Sequence, residues 1–287
     1  YLDTLGTYIK SDNKIHTIFK QNGARTGRLS SVEPNLQNIP IRTDEGNKIR
    51  KAFIPFNDII LSSDYSQIEL RILAHISNSE EMIDAFKRKT DIHTQVAADI
   101  FNVPEEAVTK QMRSSSKAVI FGIVYGISSW GLGENLHVNA NEAKKYIEKY
   151  LTLYPGVKNY MDNIVKETKE TLVSRTLLNR KRVIDELTNE NYLIRTQGER
   201  IAINTPIQGS SADLIKKAMV DISREFKKEK IKSKMIIQVH DELVFDVIKE
   251  EKEKVINIVK DKMEKVYKLK VPIKVEIDYG NNWYEAK

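Results

Sequence analysis

The 287-residue sequence has no cysteine, which excludes a disulfide framework and any thiolate-based zinc site and agrees with a reducing compartment. It has no apolar run long enough to cross a bilayer, no basic-then-apolar signal segment, no internal repeat and no low-complexity tract. Those absences leave a cytosolic globular chain. Its 40% hydrophobic and 30% charged content suits one or two domains with a real core and excludes disorder. The net charge of +6, with pI about 9.1, permits a polyanionic partner without demanding one. The first residue is Tyr1, and residues 1–15 read as the tail of a longer helix, so a fragment of a larger protein is expected.

Two acidic stretches stand out. Ser62 to Arg71, SSDYSQIELR, follows the apolar run Ile59, Ile60 and Leu61 and reads as a strand, a tight turn and a helix opening at Ile68, with Asp64 at the strand end. Met235 to Val239 and Leu243 to Val247 are apolar runs of strand length separated by His240, Asp241 and Glu242, a hairpin with an acidic tip. A lone aspartate at a strand end is most often a cap or turn residue. Two carboxylates on rigid strands can instead share a pair of magnesium ions, the arrangement that in-line phosphoryl transfer requires. Spacing alone leaves both readings open.

Residues 21–43 lack periodicity and are rich in Gly, Ser, Asn and Pro, so a long loop is expected. Its Arg25, Arg28 and Arg42 suit phosphate or groove contact, and a solvated loop fits equally. Helical periodicity then predicts Ile68–Ser77, 80–89, 93–101, 104 to about 125, Ala140–Leu153, 155–174 and 190–203, with 175–185 as a basic break. Pro206 is expected to open a further helix to about Lys228. Residues 249–269 read as an amphipathic helix with a solvated Lys/Glu face, and 271–277 as a closing strand. The layout is an α+β domain with a helical insertion between its two acidic sites.

Within that insertion, Arg113, Lys117, Phe121 and Tyr125 recur every four residues and form one slowly winding stripe. The cations suit nucleotide phosphates and the aromatics a sugar and base. The bland alternative is an amphipathic helix whose aromatic half is core.

Taken together, Asp64 to Arg71 with Leu73, Ala74 and His75, then Arg113 to Gly126, then Gln238 to Glu242 resemble motifs A, B and C of family A DNA polymerases, in the family's order and separations. TGRLSS at Thr26, PNLQNIP at Pro34, DIH at Asp91 and RIAINTPIQG at Arg200 add to the resemblance along nearly the whole chain. What it implies is a right-hand polymerase adding deoxynucleoside triphosphates to a primer 3′ end on template DNA. An antiparallel palm sheet backed by helices would occupy 1–77 and 204–287, and helical fingers 78–203. A thumb is absent from the chain, and the parent protein is expected to carry a thumb and an exonuclease-like domain upstream. A cytoplasmic, nucleoid-associated, non-membrane protein follows.

The resemblance assigns two Mg²⁺ ions to Asp64, Asp241 and the Tyr65 carbonyl, with Glu242 beside them. Arg113, Lys117 and His93 would hold the triphosphate, and Gln67 would also touch the nucleotide. Phe121 and Tyr125 would pack on the incoming sugar and nascent pair, and Glu69 would block a 2′-hydroxyl, disfavouring an RNA-making relative. Arg28, Arg200, Asn204, Gln208, Gln238 and His240 would lie along the primer duplex, testing pair shape through minor-groove acceptors. Lys117 suits proton donation to, or stabilisation of, the leaving pyrophosphate. The stretch Asn22 to Arg25 is unusual just before TGR, and two departures fall within the second motif: Ser114 stands where the family's second arginine is usual, and Ile120 where an asparagine is usual. They bear on fidelity and substrate discrimination. A two-metal nuclease would share the carboxylates without using the 113–125 stripe, and a non-catalytic relative would be expected to lose Asp64 or Asp241.

Overall fold

A computed structural model of the chain describes residues 2–40, 43–88 and 90–287. Tyr1, Arg42 and Lys89, named in the expectations above, lie outside them. In chain order the elements begin with α1 (Leu2–Leu5), β1 (Ile18–Lys20), β2 (Ser30–Val32), α2 (Asp44–Lys48), β3 (Ile59–Tyr65) and α3 (Ile68–Ser77). Then come α4 (Glu80–Arg88), α5 (Ile92–Phe101), α6 (Lys110–Val124), α7 (Ser129–Leu136), α8 (Ala140–Leu153) and α9 (Pro155–Thr171). The last are β4 (Val173–Arg175), β5 (Lys181–Val183), α10 (Tyr192–Lys228), β6 (Lys234–Val239), β7 (Glu242–Val247), α11 (Lys252–Glu264) and β8 (Val275–Gly280).

The chain divides into two compact units. One comprises residues up to Ile68, Ser211–Lys268 and Ile273–Lys287; the other Glu69–Ser210 and Leu269–Pro272. The first is built on a four-stranded sheet in the order β6-β7-β3-β8, antiparallel throughout. β3 is a central strand and is apolar or small on both faces. Leu61, Ser63 and Tyr65 lie on one face, where Ser63 Oγ meets Met263 Sδ at 3.3 Å and Tyr65 hydroxyl donates to Met263 O at 3.0 Å. The buried Val255, Val259 and Met263 recur every four residues, so α11 backs that face. Ile60, Ser62 and Asp64 lie on the other, over a core of Leu36, Ile39, Val239, Val244 and Trp283. Period-2 alternation therefore puts the strand's one carboxylate on the Trp283 side.

The second unit is helical. Leu73, Met82, Phe86, Ile92, Val119, Ile120, Ile123, Tyr150 and Tyr154 belong to one buried cluster, with the Tyr150 and Tyr154 rings stacked at 4.6 Å. The α+β class with an antiparallel sheet backed by helices is thus present. Among the described residues no helix is long and apolar enough to cross a membrane.

Several local expectations are corrected. Residues 1–15 do not form one helix: α1 gives way to a 3-10 turn at Gly6–Tyr8, and Ile9 bridges Ile15 around Asn13, whose φ is 59°. The 21–43 loop contains β2, paired with β1, and a 3-10 turn at Leu36–Asn38. The helix expected from 104 starts only at Lys110, because Thr109 Oγ accepts from Met112 N–H and caps it there. α9 stops at Thr171, where Leu172 turns left-handed at φ 56°. The basic break pairs as the β4–β5 hairpin, and α7 was not foreseen. The helix expected over 249–269 shortens to α11. The closing strand starts at Val275, opposite Tyr65, since Pro272 has no N–H to give a ladder.

The expected break at Pro206 is absent, and α10 runs through it. A proline inside a helix leaves the carbonyl four residues earlier without its donor. Here Ser174 Oγ donates to Ala202 O at 3.2 Å, and Tyr160 hydroxyl donates to the neighbouring Ile203 O at 2.8 Å.

Candidate active site

In the sheet unit, backbone pairing sets Asp64 directly opposite Glu242 on β7 and Glu276 on β8. Asp241 enters through the two-residue turn His240–Asp241, with His240 at φ 51°, and its carbonyl accepts from Tyr65 N–H at 3.2 Å. The acidic tip of the hairpin is therefore tied to the end of β3. A cleft of about 610 Å³ is lined by Asp64, Tyr65, Asp241, Glu242, His240, Gln37, Arg50 and Lys287, among others.

The three carboxylates differ in support. Ser211 Oγ donates to Asp241 Oδ1 at 2.7 Å. Glu242, buried, accepts from Ser62 Oγ at 2.7 Å and Trp283 Nε1 at 2.9 Å, and its other oxygen lies 3.7 Å from Arg50 Nη1 and 3.9 Å from Lys287 Nζ. Among the described residues nothing donates to the Asp64 carboxylate. Burial, followed by the charges of Glu242 and Asp241, pushes Asp64 up from 3.8 to about 7. A carboxylate crowded by like charge and without hydrogen-bond donors is stabilised in ionised form only by a cation. No cluster of three or more His, Asp or Glu placed to hold a metal ion occurs among the described residues.

The other residues expected near the duplex in this unit are Gln238, His240 and Arg28. Gln238 is buried, its Oε1 accepting from Gln37 Nε2 at 3.0 Å and its Nε2 donating to His240 O at 2.5 Å. His240 borders the cleft, where partial burial of its ring, then the charge of Arg28, pulls its pKa down. Gln67 occupies the left-handed turn between β3 and α3 at φ 54°.

The helical unit carries the stripe. On α6, Ser116, Val119, Ile120, Ile123 and Val124 are buried, while Arg113 and Lys117 are exposed, Phe121 is half-buried and Tyr125 is 43% exposed. The aromatic half is therefore not core. Ile120 belongs to the buried cluster, so its side chain packs inward. Phe121 stacks with Tyr125 at 6.3 Å and with His93 at 6.1 Å. Tyr125 hydroxyl donates to Glu69 Oε2 at 3.0 Å, which joins the end of the stripe to the start of α3.

Asp91 organises the cationic end. Its side chain caps α5 through His93 N–H, accepts from Thr94 Oγ1 at 2.8 Å and pairs with Arg113 Nε at 2.5 Å. Burial, with Arg113 and Lys117 nearby, pushes His93 down to about 4, so the ring is neutral at pH 7. Its Nδ1 is buried without a hydrogen-bond partner among the described residues. Lys117 has no ion-pair partner among them. On α10, Arg200, Asn204 and Gln208, four residues apart, are partly exposed, as is Ile201, while the rest of 202–210 is buried. A Cβ at Gly126, at φ 65°, would meet Arg200 Cγ at 2.6 Å, so the turn after α6 holds Arg200 by close approach.

The sequence reading missed Arg50, Trp283, Ser62, Ser211 and Lys287 around the carboxylates. Ser62 stands inside a quoted stretch and Ser211 two residues after one; nothing marks Arg50 or Trp283 before the chain folds.

The model for DNA polymerase family A matches residues 1–285. DNA polymerase I of Bacillus caldotenax is 50% identical over 290 residues, covering 100% of this chain and 33% of that protein. DNA polymerase I of Geobacillus stearothermophilus is 53% identical over 276 residues, covering 96% and 32%. This chain thus spans about a third of the length of these curated relatives. Among solved structures, the POL domain of Pol1 from M. smegmatis in complex with DNA primer-template and dNTP is 41% identical with a TM-score of 0.96, covering 99% of this chain and 51% of that one. The chain belongs to DNA polymerase family A.

Proposed function

We propose that this chain carries the nucleotidyl-transfer centre of a DNA-templated DNA polymerase, extending a primer 3′ end with deoxynucleoside triphosphates and releasing pyrophosphate. The sheet unit is its palm and the helical unit its fingers. The observation that carries this is the Asp64 carboxylate, which faces Asp241 and Glu242 in a cleft with no donor among the described residues. That donor set fits hard cations. Asp64, Asp241 and the Tyr65 carbonyl would hold two Mg²⁺ ions, which when bound supply activation of the 3′ oxygen and stabilisation of charge on the departing phosphates.

The fingers' residues share the substrate between them. Arg113 keeps N–H groups beyond the Nε that Asp91 takes, enough for a multidentate grip on phosphate. Lys117, exposed and without an acidic partner among the described residues, suits proton donation to the leaving pyrophosphate. His93, neutral, contributes a hydrogen bond rather than charge. Phe121 and Tyr125 offer a stacked apolar surface to the sugar and base, Gln67 a further nucleotide contact, and Glu69, fixed by Tyr125 hydroxyl, closes the space a 2′-hydroxyl would need. Arg28, Gln238 and His240 in the palm, with Arg200, Asn204 and Gln208 in the fingers, would follow the primer duplex. The M. smegmatis relative, bound to primer-template and dNTP, supports both partners. This chain covers 33% of the Bacillus caldotenax relative, which leaves room in a longer parent protein for the thumb and exonuclease-like domains of this reading.

The test is primer extension with each dNTP, with and without Mg²⁺, by the wild-type chain, Asp64→Ala and Asp241→Ala. Both variants are expected to lose extension while keeping duplex affinity. Near-normal extension by either one overturns the reading.

A further inference from the structure

Glu242 is the most firmly held of the three carboxylates. Both of its oxygens are engaged: Oε1 by Ser62 Oγ and Trp283 Nε1, Oε2 by the cations of Arg50 and Lys287. Trp283 is fully buried, is edge-on to Phe53 at 5.6 Å, and its backbone N–H donates to Phe53 O. The Arg50 guanidinium lies 4.2 Å over the Trp283 ring. Arg50 is 2% exposed, and its Nε and Nη1 make no hydrogen bond among the described residues. The guanidinium is thus held largely by stacking on the indole and by the charge of Glu242. A carboxylate in this setting cannot turn toward an ion without giving up two donors and exposing a buried cation to the lack of its counter-charge.

We propose that Arg50 and Trp283 are positioning residues for the metal-binding carboxylates: they hold Glu242 as a fixed charge beside Asp64 and leave Asp64 and Asp241 as the two carboxylates offered to the ions. This rests on the reading of those two aspartates as ion ligands. Outer partners of this kind set which oxygens reach a metal and usually matter nearly as much as the ligands themselves.

The experiment is Mn²⁺ binding, read from the paramagnetic resonance signal of the free ion, with Trp283→Phe and Ser62→Ala each made in the wild-type and in the Glu242→Gln background. Releasing Glu242 supplies a third carboxylate to the ions. Each single substitution is therefore expected to lower the Mn²⁺ Kd about threefold or more, and to lower kcat about tenfold with the dNTP KM held within about twofold. In the Glu242→Gln background the same substitution should move the Kd by less than about twofold. Arg50→Met should act as Trp283→Phe does, and Arg50→Lys, which keeps the cation, should return the Kd to within about twofold of wild type.

Equal changes in both backgrounds, or no change in either, overturn the proposal; an Arg50→Lys value equal to that of Arg50→Met overturns the part given to Arg50. If Trp283→Phe does not fold, Ser62→Ala carries the test, since it removes a donor from the same oxygen at little cost in volume. Asp64→Asn is the control. Loss of Mn²⁺ binding in Asp64→Asn without coupling between Trp283 and Glu242 defeats only this proposal. Unchanged Mn²⁺ binding in Asp64→Asn defeats the metal-centre reading itself.

Discussion

Asp64 makes the metal-free chain less stable, and the cost can be measured. Burial, then the charges of Glu242 and Asp241, raises its carboxyl from 3.8 to about 7. A group whose folded pKa lies above its unfolded one favours folding while protonated, and that advantage is lost as pH rises through the folded value. The advantage is complete below pH 3.8 and gone above about pH 7. Across that gap, ionising Asp64 costs the folded state about 4 kcal/mol, reduced to about 2 where the open cleft lets solvent screen the charges. Asp64→Asn removes the charge at almost constant shape. In EDTA at pH 8 the variant is therefore expected to be more stable than wild type by about 2–4 kcal/mol, and the difference should vanish near pH 4. The assay is urea unfolding followed by Trp283 fluorescence in a Trp130→Phe background, which reports the unit that holds the site. Adding Mg²⁺ should shrink the gap at pH 8, because binding stabilises only the chain that keeps both ligands. A variant no more stable than wild type at pH 8, or a difference independent of pH, would refute the reasoning.

Three other outcomes follow from single contacts. Gly126→Ala places a Cβ on a residue at φ 65° and 2.6 Å from Arg200 Cγ, so it should cost about 1–3 kcal/mol in urea unfolding and weaken duplex binding; a neutral variant would show that the turn yields easily. Glu69→Ala should raise ribonucleotide use relative to deoxyribonucleotide use in kcat/KM, and Tyr125→Phe, which removes the hydroxyl that donates to Glu69, should shift the ratio part of the way; an unchanged ratio in Glu69→Ala would count against the gate. Ser174→Ala leaves the Ala202 carbonyl without its donor inside α10 and should cost about 1–3 kcal/mol, whereas Ser129→Ala in α7, a half-buried position, should cost under about 0.5 kcal/mol.

The fold was legible where periodicity was long and failed where it was short or tertiary. α3 and α8 were bounded correctly because their apolar spacing ends at turn residues. β4 and β5 are three residues each, too few for an alternation to register, and they pair only because the α9 end turns back. Pro206 reads as a helix start in any local view, since the proline itself carries no sign that its lost partner will be replaced. The replacement comes from Ser174, 28 residues earlier in the chain and brought to Ala202 by the fold.

The site was legible to different depths on its two sides. Asp64 and Asp241 could be named because strand and hairpin ends are local features, but Arg50 and Trp283 join them only through the core between β3 and the chain's last turn. For the α6 stripe the deciding fact lay in the sequence and was passed over. Val119, Ile120, Ile123 and Val124 already supply a full apolar face at i, i+1, i+4 and i+5, and Ser116 lies on it, its hydroxyl donating to His93 O at 2.6 Å. A helix with one complete buried face has no packing use for two aromatics on another. Half-buried Phe121 and exposed Tyr125 were therefore better grounds for expecting a binding surface than the cations beside them, since exposed lysines and arginines are ordinary and a stacked aromatic pair outside the core is not.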